Sequence, residues 1–123
     1  VMKTVPNEVW TVGSTCYSMG AILLASGAPG RRYVFPNANS MSDLVQGKRE
    51  GNQRERDIQN DEYKKAKDVL VDLLVKNGAK KTKKKILTDM EVAYFMDAQE
   101  TIDYGIADKI VNTEFFTEIA SLA

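Results

Sequence analysis

The sequence predicts one α/β domain in which strands alternate with helices along 123 residues. Residues 9–12 and 31–35 are short runs rich in β-branched and aromatic side chains, a composition typical of buried strands. Ala/Leu-rich and amphipathic stretches with three- and four-residue spacing follow them and indicate helices. Strands and helices in this order form βαβ units with right-handed crossovers. With 43% hydrophobic and 28% charged residues, the chain is long enough to bury a core.

The first elements are predicted in the order strand, helix, strand. We expect residues 9–12 to be a strand and residues 19–26 to be a buried helix. Gly27 follows this helix and is expected to end it, since glycine tolerates a positive φ at the position after a C-cap. Residues 31–35 form the next strand, which the turn residues Pro36 and Asn37 are expected to stop.

The longest periodic segment is residues 54–77, predicted to be an amphipathic helix that Gly78 ends. Its apolar side chains recur at three- and four-residue steps, with charged residues on the other face. The members of this predicted apolar face are Ile58, Tyr63, Ala66, Val69, Leu70, Leu73 and Leu74.

Shorter elements are predicted for the last third of the chain. Asp97 and Glu100 have the spacing of a capping box for a helix over residues 98–104, which Gly105 ends. Residues 106–111 form a final apolar segment, and residues 113–122 are expected to be a short amphipathic helix.

Charge and cysteine content narrow the function classes. Seventeen basic and seventeen acidic residues cancel, which predicts neither a nucleic-acid nor a membrane partner. The five lysines within residues 80–85 are interpreted as a solvated loop and helix start. One cysteine, Cys16, excludes an internal disulfide and a cysteine-rich metal site, and it favours an intracellular compartment. No apolar run reaches the roughly 20 residues of a membrane span, and the N-terminus has no signal-peptide layout.

Ser18 is the candidate nucleophile. It lies among small and apolar residues where the first strand gives way to a helix, which is the layout of a strand-to-helix nucleophile turn. Such a turn exposes the hydroxyl, and the next residue, Met19, offers its backbone N–H to a developing oxyanion. A small-residue turn before a buried helix is the alternative interpretation. The sequence contains no histidine, so this chain cannot supply the usual general base.

Several blocks of sequence closely resemble the ClpP family, the proteolytic subunits of ATP-dependent Clp proteases. They are SMGA at 18–21, LLA-x-G at 23–27, GRRY at 30–33, PNA at 36–38 followed by Met41, FM-x-A-x-E at 95–100 and DYGIADKIV at 103–111. The resemblance covers nearly the whole chain, and it implies a short helix over residues 86–91. It implies a ClpP/crotonase-like spiral of βαβ units with a protruding handle helix at about 46–78, in a single domain over residues 1–123. The chain would form the C-terminal portion of the family fold.

The resemblance also assigns site residues. Ser18 would be the nucleophile and the Met19 N–H an oxyanion donor, but Asp43 occupies the family's histidine position and Ala93 its aspartate position. Gly47 and Gly51 would belong to a strand that pairs with the substrate backbone. Neither cofactor nor metal is expected. An aspartate with an ordinary pKa near 4 is a weak base for activating a serine, so impaired catalysis is predicted.

The partners implied by the resemblance are other Clp subunits in stacked heptameric rings, uniform or mixed, an AAA+ unfoldase and unfolded polypeptides. The expected location is the cytoplasm, or an organelle stroma or matrix if the source is eukaryotic. Two alternatives to an impaired ring subunit stay open. The first is an active serine peptidase that uses Ser18, and the second is a crotonase-like protein that binds acyl-thioesters.

Overall fold

The structure, a computed structural model, describes residues 1–42 and 51–122, and every structural statement refers to these ranges. It has the predicted α/β class. The elements are β1 (Thr11–Tyr17), α1 (Met19–Ala25), β2 (Arg32–Ser42), α2 (Gln53–Lys76), α3 (Lys83–Asp89), β3 (Tyr94–Asp97), α4 (Ala98–Tyr104), β4 (Lys109–Ile110) and α5 (Thr113–Ser121). In these ranges no helix is both long and apolar enough to cross a membrane.

The sheet is mixed, and β2 is its central strand. β1 pairs with β2 in parallel from Thr11 opposite Arg32 to Tyr17 opposite Met41. β4 pairs in parallel with the start of β2, and β3 pairs antiparallel with its end. Since β1 lies along both halves of β2, β3 and β4 share the other edge. The carboxyl ends of β1 and β2 therefore reach the same end of the sheet.

The predicted ends of both strands were wrong. β1 occupies Thr11–Tyr17 instead of residues 9–12, so it runs directly into Ser18. β2 continues past Pro36 to Ser42, because the ladder shifts there: Gly13 pairs with Val34, and Thr15 pairs with Asn39. Four residues of β2 thus lie opposite Ser14 alone. Pro36 is exposed in this irregularity, where its missing N–H removes no regular ladder bond.

Gly27 directly follows the C-cap Ser26 of α1 as predicted, but its predicted positive φ was wrong. It is not among the glycines with a positive φ, which in the described residues are Gly30, Gly51, Gly78 and Gly105. A Cβ at Gly27 would collide with Thr11 Oγ1 and lie 3.0 Å from Arg32 Cγ. Glycine is needed there because the side chains of Thr11 and Arg32 lie against its backbone. The helix itself ends one residue earlier than predicted, at Ala25.

The apolar side of α2 is also different from the prediction. Its buried residues are Val71 and Leu74, and Val71 was not on the predicted face. Ile58, Val69 and Leu73 are 57%, 59% and 38% exposed. Only the last turns of α2 pack on the core, so these three of the seven predicted apolar residues are exposed in this chain.

The C-terminal third follows the prediction more closely. The capping box is confirmed, since Asp97 accepts from the Glu100 N–H at 2.8 Å and Glu100 accepts from the Asp97 N–H at 3.3 Å. Gly105 ends α4 with φ 91°. The predicted helix at 86–91 instead begins at Lys83, because Thr82 caps it. The lysine stretch is partly structural, as Lys83 Nζ lies 3.0 Å from Asp72 Oδ1 of α2.

The Arg32 side chain joins the ends of three helices. Its Nη1 donates to the carbonyl oxygens of Ala25, Asn77 and Gly105, at the C-terminal ends of α1, α2 and α4, at 3.3, 2.9 and 2.8 Å. Asp108 accepts from Arg32 Nε at 2.8 Å and Nη2 at 2.7 Å. Arg32 is only 5% exposed. These hydrogen bonds from Arg32, reinforced by its positive charge, hold the pKa of Asp108 below its ordinary value.

We predict that Asp108→Asn lowers the free energy of unfolding at pH 7 by about 3 kcal/mol, because it leaves the buried guanidinium without its carboxylate. The folded-state pKa of Asp108 is lowered, so the pair stabilises the fold fully above the unfolded-state pKa, about 3.9. That stability is lost as the pH falls through the lower folded-state value. Urea denaturation from pH 3 to 7 measures the difference.

Glu62→Gln is the matched control, because Glu62 forms an exposed ion pair with Lys65. It should cost less than about 1 kcal/mol at any of these pH values. Equal losses for the two variants would refute a central role for the Arg32–Asp108 pair.

Candidate active site

Ser18 occupies a strained turn between β1 and α1. Its φ of 53° and ψ of −113° make it the one described residue other than glycine with a positive φ. Its N–H donates to the Met41 carbonyl of β2 at 2.9 Å, and its carbonyl accepts from the Ala21 N–H at 3.1 Å. These two bonds fix the turn to the sheet on one side and to the helix on the other. Such a conformation costs about 1–3 kcal/mol and is characteristic of nucleophile turns.

Close packing holds α1 against β1 behind this turn. A Cβ at Gly13 would lie 2.6 Å from Cys16 Sγ and 3.2 Å from the Leu24 methyl groups. Thr11 Oγ1 also donates to the Leu24 carbonyl at 2.8 Å. Met19 is the first residue of α1, where backbone N–H groups have no partner inside the helix. The helix therefore presents the Met19 N–H beside Ser18.

Cys16, two residues before Ser18, is not a second nucleophile. Its side chain is partly buried against the core. Burial raises the pKa of the Cys16 thiol above its usual value, so the thiol stays protonated near neutral pH.

An apolar row lies beside Ser18 on the exposed sheet surface. Tyr17, Met41 and Phe95 are side-by-side neighbours on β1, β2 and β3. The Tyr17 and Phe95 rings stand perpendicular with centroids 5.9 Å apart, and Asn39 Nδ2 donates to the Tyr17 hydroxyl at 3.0 Å. Tyr17 and Phe95 were not predicted as site residues. The signal that could have found them is their position at the family-like blocks: Tyr17 directly precedes the block that begins at Ser18, and Phe95 begins the block at 95–100.

The geometry of this turn agrees with a match to a known family. The family model described as Clp protease matches residues 1–114. The chain belongs to the Clp protease family. The match confirms the resemblance seen in the sequence, and the mixed sheet with its five described helices is consistent with the ClpP fold. The chain therefore carries a Clp-type peptidase domain, and such proteins generally act as oligomeric rings with unfoldase partners.

The site residues assigned from the resemblance to the Clp family lie partly within and partly outside the described residues. Asp43 and Gly47 lie outside the described residues. Gly51 lies in an exposed bend with φ 101° just before α2, so its assignment to a substrate-pairing strand stays a prediction. Ala93 is exposed directly before β3. Ser18 and Met19 are the two predicted site residues that the structure brings together.

The carboxylates nearest in sequence to Ala93 have structural partners. Asp89 is 7% exposed, accepts a 2.9 Å hydrogen bond from the Tyr104 hydroxyl and lies 3.0 Å from Lys85 Nζ. Burial and the hydrogen bond to Asp89 raise the pKa of Tyr104. Asp97 caps α4. In the described ranges no cluster of three or more His, Cys, Asp and Glu side chains is placed to hold a metal ion.

We predict that Ser18→Gly is more stable than Ser18→Ala by about 1 kcal/mol, because glycine adopts a positive φ without steric cost whereas alanine keeps the strain. Thermal and urea denaturation of the two variants measure the difference. A more stable alanine variant would show that the turn is not strained in solution.

Proposed function

We propose that this chain is a ring subunit of a Clp-type peptidase whose own serine is catalytically impaired. The observation that carries the proposal is a Ser18 held in a nucleophile turn within a sequence that contains no histidine. The turn and the Met19 N–H are retained, while the family's histidine and aspartate positions are Asp43 and Ala93. The subunit would keep its fold and docking surfaces and leave cleavage to active partners.

Ser18 lacks a proton acceptor of the usual kind, because the sequence contains no histidine. A serine hydroxyl attacks a peptide carbonyl efficiently only when a base removes its proton, and imidazole serves because its pKa is near neutral. Removing triad members lowers turnover by about 10⁴- to 10⁶-fold. Ala93 has no carboxylate with which to orient a base. Residual reactivity would then come from the oxyanion donor and from binding alone.

In this proposal the subunit assembles with other Clp subunits into stacked heptameric rings, in the cytoplasm or inside an organelle. An AAA+ unfoldase would deliver unfolded polypeptides to the ring. The exposed apolar side chains of α2, including Ile58 and Val69, support a packing partner for that helix. The chain's balanced charge supports polypeptide rather than nucleic acid as the substrate class.

We predict that a fluorophosphonate probe labels the natural chain slowly and that the double variant Asp43→His with Ala93→Asp labels at least about 100-fold faster, because the general base and its orienting carboxylate are restored. Intact-protein mass spectrometry over time measures the rate. Adding Ser18→Ala to the double variant must abolish labelling, whereas adding Ser14→Ala, a change at a nearby exposed serine, must not.

Rapid stoichiometric labelling of Ser18 in the natural chain would contradict impairment and favour an active peptidase. Labelling that is equally slow in both proteins would show that residues 43 and 93 are not the positions of the missing catalytic histidine and aspartate. Saturable acyl-thioester binding without any labelling would favour the crotonase-like alternative.

A further inference from the structure

A lysine-rich segment joins α2 to α3. Residues 76–85 contain six lysines and no aspartate or glutamate, although acidic and basic residues balance over the whole chain. The lysines are Lys76, Lys80, Lys81, Lys83, Lys84 and Lys85. Positive charge is therefore concentrated where α2 ends and α3 begins.

Two of these lysines have partners within the domain. Lys83 Nζ lies 3.0 Å from Asp72 Oδ1 and 3.8 Å from Asp68 Oδ1, so it links the start of α3 to α2. Lys85 Nζ lies 3.0 Å from Oδ1 of the buried Asp89. These contacts give both lysines a structural role.

The other four lysines have no such contacts. Lys76, Lys80, Lys81 and Lys84 are exposed, and no carboxylate of the described residues forms an ion pair with them. We call these four lysines the basic corner. Like charges held close together repel one another, so the cluster lowers the stability of the free chain. A bound partner that carries several negative charges relieves this repulsion.

The backbone under the basic corner is fixed. The Lys80 N–H donates to the Tyr104 carbonyl at the end of α4 at 2.7 Å. Thr82 Oγ1 accepts from the Lys85 N–H at 3.2 Å, and Ile86, directly after the lysines, is fully buried. The four side chains therefore extend from ordered backbone instead of a free tail, which lowers the entropy that binding must remove.

The basic corner lies away from the nucleophile turn. The Asn77 carbonyl, next to Lys76, accepts from Arg32, which also binds the C-terminal end of α1. Ser18 lies at the N-terminal end of the same helix. A ligand of the basic corner therefore binds at a place separate from the Ser18 turn.

The chemistry of the basic corner fits carboxylates better than nucleic acid. Residues 76–85 contain no arginine for bidentate phosphate contacts and no aromatic ring on which a base could stack. The lysines of this segment that are paired in the structure bind carboxylates, at Asp68, Asp72 and Asp89. Ammonium groups on flexible stems adapt to carboxylates at different spacings along a polypeptide.

We propose that the basic corner is a docking site for an acidic protein segment that carries several closely spaced Asp or Glu side chains. Their carboxylates pair with Lys76, Lys80, Lys81 and Lys84 at the junction of α2 and α3. Because the contacts are exposed ion pairs, association is fast and weakens as the salt concentration rises. The proposal does not depend on the reactivity of Ser18.

Binding of an acidic peptide to the full chain tests the proposal. A fluorescein-labelled peptide of alternating Glu and Ala should bind saturably by fluorescence anisotropy in about 0.05 M NaCl, and at least about tenfold more weakly in about 0.5 M NaCl. The triple variant Lys80→Gln, Lys81→Gln and Lys84→Gln should lower the affinity at least about tenfold, since each exposed ion pair contributes about two- to threefold. It leaves the paired lysines and the cap of α3 in place, so its thermal unfolding should match that of the natural chain.

The triple variant Lys64→Gln, Lys65→Gln and Lys67→Gln is the matched control, because it removes the same charge from the middle of α2. It should change the affinity about twofold or less. Equal losses in the two triple variants, or no saturable binding by the natural chain, would overturn the proposal. A single-stranded oligothymidylate of equal charge is the second probe. If it binds more tightly than the peptide and the Lys80 triple variant loses this binding, the basic corner is a nucleic-acid site and the assigned partner is wrong.

Discussion

The buried Arg32 guanidinium is the interaction on which the arrangement of this domain depends. Three helices end with their carbonyl groups at this one side chain, so their negative dipole ends share a single positive charge. Asp108 balances the charge and ties it to the chain just before β4. A lysine could not replace this arginine, since a single ammonium cannot bind the three carbonyls and also pair with Asp108 through two further nitrogens. Arg32 anchors the C-terminal end of α1, and Ser18 lies at the N-terminal end of the same helix.

Much of the fold could be predicted because its local signals agree with its packing. Asp97, Gly78 and Gly105 mark the ends of helices with side chains and φ values that have few other uses. The strands were harder to predict than the helix ends. β1 carries Gly13, Ser14 and Thr15 in its centre, so no apolar alternation reveals it, and its stability comes from pairing with β2. Val71 was missed because burial of α2 depends on its neighbours.

Part of the candidate site was likewise predictable from the sequence, and part was not. Ser18 and Met19 were predictable because a turn between a strand and a helix needs small residues at fixed positions, and the structure places both there. The Met41 carbonyl that holds the turn lies 23 positions later, and the neighbouring Phe95 is more distant still. Only the sheet register brings them together. Sequence spacing alone cannot specify such contacts, whereas the identity of residues 43 and 93 needs no structure to read.

The register shift between β1 and β2 at residues 35–38 of β2 determines where this protein can be labelled. Residues 35–38 already lie outside the regular pairing, and both Pro36 and Asn37 point to solvent-accessible surface. The pairs before the step and the pairs after it are each complete without them, so β2 behaves as two short ladders joined by a spacer. A fluorophore attached at Pro36 or Asn37 would touch neither ladder, whereas Phe35 and Ala38 pack in the core and must be kept. The end of the sheet that carries Ser18 would then keep its register.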